Sequence, residues 1–90
     1  MIEVSKRDGN EFEVRIKDAR GETRHRVTMS PETFKGLTDG RADECQCIQA
    51  AFRFLLDREN KEQILDRFDV TVISRYFPEF ERELPRYLAR

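Results

Sequence analysis

Between Glu11 and Lys17 the chain alternates without a fault: Phe12, Val14 and Ile16 are apolar, while Glu11, Glu13, Arg15 and Lys17 are charged. Side chains on a β-strand point to opposite faces in turn. The pattern therefore demands a strand with one face on a core and the other in water. The same period continues on both sides. Ile2 and Val4 alternate with Glu3 and Ser5, and His25, Val27 and Met29 alternate with Arg24, Arg26 and Thr28. Asp8-Gly9-Asn10 separates the first two segments, and Asp18-Ala19-Arg20-Gly21-Glu22 separates the next two. Both are tight-turn sequences. Short turns between successive strands predict a three-stranded antiparallel β-meander over residues 1–29.

Ser30-Pro31-Glu32 ends that period. Ser30 can cap a helix, Pro31 suits its first position, and Glu32 complements its positive end. The short helix that follows turns Phe34 and Leu37 inward and stops at Asp39-Gly40, with Gly40 as the left-handed residue. A longer central helix is expected from about 43 to 58. Asp43 and Gln46 make a capping box, and Ile48, Ala51, Phe52 and Leu55 repeat at helical spacing. Cys45, Cys47, Phe54 and Leu56 widen this stripe to an arc of about 200°. Only Gln46, Gln49, Ala50, Arg53 and Asp57 are left for the opposite side. So apolar a helix needs cover on two sides, by the sheet on one and by C-terminal helices on the other.

The rest of the chain reads as short helices. Asn60 with Gln63 opens one that carries Ile64, Leu65 and Phe68. Residues 70–76 carry opposing signals. Val70, Thr71, Val72 and Ile73 are β-branched and favour a strand. Asp69 as a cap and the spacing of Ile73 and Phe77 favour a helix, which is the reading adopted. Pro85 interrupts the last apolar stripe, Phe80, Leu84 and Tyr87 or Leu88, and predicts two short pieces or a kink. The expected fold class is α+β in one domain, residues 1–90. The meander at 1–29 packs on the central helix, and 30–90 forms the helical part.

Charge limits the partners. Seventeen Lys and Arg against eighteen Asp and Glu leave a net charge of −1, and residues 1–29 hold seven basic and six acidic side chains. That balance disfavours general binding to nucleic acid. No apolar run reaches about 18 residues, and no basic and apolar leader opens the chain. The expectation is a cytoplasmic protein without membrane contact. Cys45 and Cys47 point about 200° apart on a helix and cannot bridge each other. They read as reduced core thiols. One C-x-C with the single, distant His25 falls short of four zinc ligands, so no metal and no cofactor is expected.

Catalytic motifs are equally sparse. The chain has no phosphate-cradling Gly loop, no G-x-S-x-G and no H-E-x-x-H. His25 falls on the apolar face, and no motif places a nucleophile beside it, so it reads as a structural histidine. Close carboxylates, such as Asp66 with Asp69 or Glu79 with Glu81 and Glu83, are expected by chance among eighteen acids. No enzyme activity is expected, and a small enzyme with an unrecognised site is the third reading. The most distinctive stretch is Arg75-Tyr76-Phe77-Pro78-Glu79-Phe80-Glu81-Arg82. Phe77 and Phe80 suit a core, which leaves Arg75, Tyr76, Glu79 and Arg82 as a candidate surface for a protein partner or a second copy. The leading reading is a non-catalytic protein-interaction module.

Two resemblances accompany these readings. The run Ala51-Phe52-Arg53-Phe54-Leu55-Leu56-Asp57-Arg58-Glu59-Asn60, then Ile64-Leu65, Phe68-Asp69-Val70 and Val72-Ile73-Ser74-Arg75-Tyr76-Phe77-Pro78-Glu79, resembles a family of small bacterial proteins without an assigned activity. That resemblance implies a bacterial cytosolic protein and no site residues. Residues 24–56 resemble the ribbon-helix-helix repressors: a strand, a Ser-Pro-Glu helix start, a short helix, a Gly-containing turn and a longer apolar helix. This implies a dimeric DNA-binding regulator whose paired strands enter the major groove, with Arg24, Arg26 and Thr28 reading bases. The chain departs from that pattern at Gly36 in the first helix, in two strand-like segments before the ribbon, and in its acidic balance.

Overall fold

A computed structural model describes residues 1–89. The meander is present. β1 (Ile2–Lys6), β2 (Glu11–Asp18) and β3 (Gly21–Thr28) pair antiparallel in sequence order. Gly9 at φ 62° and Gly21 at φ 131° make the turns, conformations that a side chain would strain. Phe12, Val14, Ile16, His25 and Val27 lie buried on one face. The other face is an ion-pair lattice. Glu22 alone meets Arg15, Lys17 and Arg24, and Glu11 meets Arg26.

The sheet has a fourth strand, which corrects the three-stranded expectation. β4 (Arg67–Asp69) runs parallel to β3, with Arg26 opposite Arg67 and Thr28 opposite Asp69. It replaces the end of the helix expected to carry Ile64, Leu65 and Phe68. The helical start at Asn60 is real, with its N–H donating to Gln63 Oε1 at 2.8 Å, but it lasts one 3-10 turn, Lys61–Gln63. Ile64 is already extended. The second edge of β3 needs partners for its backbone, and it takes this segment: Arg26 N–H donates to the Asp66 carbonyl at 2.8 Å. Residues 70–76 are helical, as expected: a 3-10 turn at Val70–Val72 runs into α3 (Ile73–Tyr76). Asp69 caps it by accepting from Thr71 N–H.

α1 (Pro31–Thr38) starts at Ser30, whose hydroxyl accepts from Thr33 N–H. Asp39 at φ 50° takes the left-handed cap position expected of Gly40, which is itself left-handed at φ 77°. α2 (Glu44–Leu56) opens with both arms of the Asp43–Gln46 box, at 2.8 and 2.9 Å. Ala50, expected on the polar side, is buried, and Cys45 is only half-buried. A methyl group is small enough for α2 to approach its neighbours there. α4 (Phe80–Leu88) runs through Pro85 as one helix, neither broken nor divided. A mid-helix proline costs about 3 kcal/mol. Here Phe80, Leu84 and Tyr87 are buried on the inner face while Pro85 stands on the exposed one, so burial outweighs that cost.

α2 lies between two layers. Phe52 meets His25 of β3 and Phe68 of β4, with ring centroids 5.6 and 5.9 Å away. Phe54 meets Phe77, Phe80 and Tyr87 at 5.0–5.9 Å on the other side. Among the described residues no helix is long and apolar enough to cross a membrane.

Candidate functional site

Where the chain leaves α2, crosses to β4 and returns through α3, it encloses an apolar groove of about 210 Å³. Each wall has a local cause. Leu55 comes from the last turn of α2, Ile64 and Phe68 flank the crossing, and Ile73 and Phe77 come from α3 and its end. Ile64 and Leu65 are consecutive in extended chain, so only one of them can point to the core. Ile64 is buried, and Leu65 is left 48% exposed at the rim. Tyr76 lines the same groove and is 67% exposed. Together with Met1 these are the large hydrophobic residues that the described chain leaves exposed.

His25 holds the Leu65 side of this groove in place. Its Nδ1 lies 2.8 Å from the Leu65 carbonyl and its Nε2 lies 2.9 Å from Thr23 Oγ1. A carbonyl can only accept, so Nδ1 carries a proton, and in the neutral ring Nε2 accepts from the Thr23 hydroxyl. Nδ1 thus joins β3 to the crossing segment, while the Nε2 contact to Thr23, within β3, orients the ring. The polar lining is Glu59 and Gln63. Burial pushes the Glu59 carboxyl above the usual carboxylate range.

The expected partner surface divides. Tyr76 lines the groove, and Arg75 is exposed beside it on α3. Glu79 belongs to packing instead: its carboxylate receives Arg58 Nε at 3.0 Å, and the Arg58 guanidinium covers the Phe54 ring at 3.7 Å. Arg82 points to solvent, 3.9 Å from Glu83. Arg24 and Arg26 are held by Glu22 and Glu11, and Thr28 donates to Asp69 across the β3–β4 pair. Among the described residues no group of His, Cys, Asp and Glu is placed to hold a metal.

Two features escaped the pattern of the sequence. Leu65 and Phe68 take part in the groove because β4 displaces the expected helix. Lys61 is buried, with its ammonium 2.9 Å from Asp18 and paired to Glu62. No protein-family model, curated protein or solved structure matches this chain.

Proposed function

We propose that this chain is a non-catalytic, cytoplasmic protein-interaction module that receives an apolar side chain of its partner in the groove between α2, β4 and α3. One observation carries the reading: Leu65 and Tyr76, exposed and apolar, stand on the rim of the same apolar groove. Exposed tyrosine beside a pocket is what interface anchors favour. The size of the groove supports a side chain over a drug-sized ligand. Small-molecule sites run to about 300–1,000 Å³, and this one holds about 210 Å³.

The repressor-like reading draws no comparable support. Its ribbon needs a free strand, whereas β3 has β2 on one side and β4 along Arg26–Thr28 on the other. Its outward arginines are already ion-paired.

Tyr76→Ala tests the proposal. The exposed ring carries little of the fold, so the thermal midpoint stays within the shift of about 0.5 kcal/mol typical of surface changes. Proteins captured by the wild-type chain are lost with the variant, or, where the partner is a second copy, sedimentation shifts from dimer to monomer. Capture and sedimentation unchanged by Tyr76→Ala and by Leu65→Ala overturn it.

A further inference from the structure

Glu59 is an odd residue to find in that groove. Its side chain has no hydrogen bond and no ion pair among the described residues. The cations nearest to it in sequence are committed elsewhere. Arg58 reaches Glu79, and Lys61 reaches Asp18 and Glu62. No lysine or arginine is among the described residues that line the groove. Glu59 is half-buried, and a carboxylate partly withdrawn from water beside apolar walls with no cation paired to it disfavours its ionised form. Burial accordingly raises the folded pKa above the unfolded one. The ionised form therefore lowers stability above the ordinary carboxylate range, and that loss disappears as pH falls below it.

We propose that the groove takes a protein segment that sets a lysine or arginine beside an apolar anchor, and that Glu59 is the carboxylate that receives this cation. The inference rests on the interaction-module reading above and adds the charge of the partner. Leu65 and Tyr76 contact the anchor, and Leu55, Ile64 and Phe68 form the floor beneath it. A cation arriving with the anchor gives Glu59 the partner that the chain itself withholds. Charge-assisted hydrogen bonds formed in a partly desolvated groove are stronger than those on an open surface. The opposite charge, a carboxylate beside the same anchor, meets repulsion there.

A phage-displayed library of random linear peptides supplies the probe. Selection on the wild-type chain should enrich peptides with a large apolar residue next to Lys or Arg. Glu59→Gln should weaken a selected peptide by about fivefold to tenfold. The same variant should melt higher than wild type at neutral pH, with the gain shrinking as pH falls. That combination separates a binding role from damage to the fold. Tyr76→Ala should remove binding of selected peptides whatever their charge. Enriched peptides that are neutral or acidic, lost with Tyr76→Ala but indifferent to Glu59→Gln, overturn the charge inference and leave the groove reading standing. Selection that yields no peptide sensitive to Tyr76→Ala overturns both.

Discussion

The two sides of α2 are built on different physics. Toward the sheet, Phe52 meets His25 and Phe68 over strands whose backbone groups satisfy one another in long ladders. The outer face of that sheet is closed by ion pairs, with Glu22 shared among three cations. Toward the C-terminus, Phe54 sits among Phe77, Phe80, Tyr87 and the Arg58 guanidinium. Short helices cover it, the longest of them with a proline inside. The sheet side leaves no apolar face uncovered along β2 and β3. At the junction between the two sides, β4 is three residues long and the groove opens. Regular pairing closes a surface, and the irregular join between two layers is where a binding site can form.

The largest test asks whether the two sides fold as one. Phe52→Ala and Phe54→Ala each remove a fully buried ring, and each should cost about 3–5 kcal/mol by lost burial and cavity. Urea unfolding followed separately by far-ultraviolet and tyrosine signals should show one shared transition for both variants. Split transitions would make the helical side an independent unit.

The join itself is a smaller lever. Asp69 accepts from the Thr28 hydroxyl, the Thr71 hydroxyl and the Thr71 N–H, so it fastens β4 to β3 and starts the next turn. Asp69→Ala should cost about 1–2 kcal/mol, the range of a lost cap. An unchanged urea midpoint would mean that β4 is held by its backbone pairing with β3 and by Phe68, without help from the Asp69 side chain.

A second tie crosses the same join. Hydrogen bonding to Lys61 lowers the pKa of both Asp18 and Glu62. Their folded values lie below the unfolded ones. The stability they contribute is complete above the ordinary carboxylate range and is lost as pH falls through the lowered folded values. Lys61→Met should flatten that acid limb when melting is followed from pH 6 to pH 2. A limb of equal steepness would show that the pair does not hold Lys61 in solution.

The smallest effect leaves stability untouched. Burial pushes the Cys47 thiol up to about 11. The buried thiol sits 3.7 Å from the Met29 sulfur, between α2 and the sheet. A maleimide at pH 8 should label half-buried Cys45 slowly and Cys47 only after unfolding. Equal labelling in the native state would mean that α2 parts from the sheet far more often than the core implies.

Legibility followed the same division. β1, β2 and β3 were readable because period two recurs over several residues and Gly9 and Gly21 mark the turns. Ser30 and Asp43 announced α1 and α2 because a cap is a local hydrogen bond between residues three apart. β4 was not readable. Three residues are too few to show a period, and their partner lies about forty positions earlier in the chain. Pro85 offered two short pieces or a kink, and the division into two pieces failed because the local rule prices a lost backbone bond without the burial of Phe80, Leu84 and Tyr87. Of the candidate site, Tyr76 was visible as an aromatic residue in a charged stretch. Glu79 looked equally exposed, and only its pairing with Arg58 shows otherwise. Glu59 had no signal, since one acid among eighteen carries none.

By itself, then, the order of residues determined the α+β class, the meander, the inner and outer faces of the sheet and the starts of α1 and α2. All of these depend on neighbours within a few positions, where periodicity and capping act. Only the tertiary structure decided that Lys61 is buried, that Leu65 and Tyr76 share a rim, and that Glu59 faces an apolar groove without a cation. Those facts depend on which distant backbone edge captures residues 66–69, a competition settled by hydrogen bonds across the whole chain.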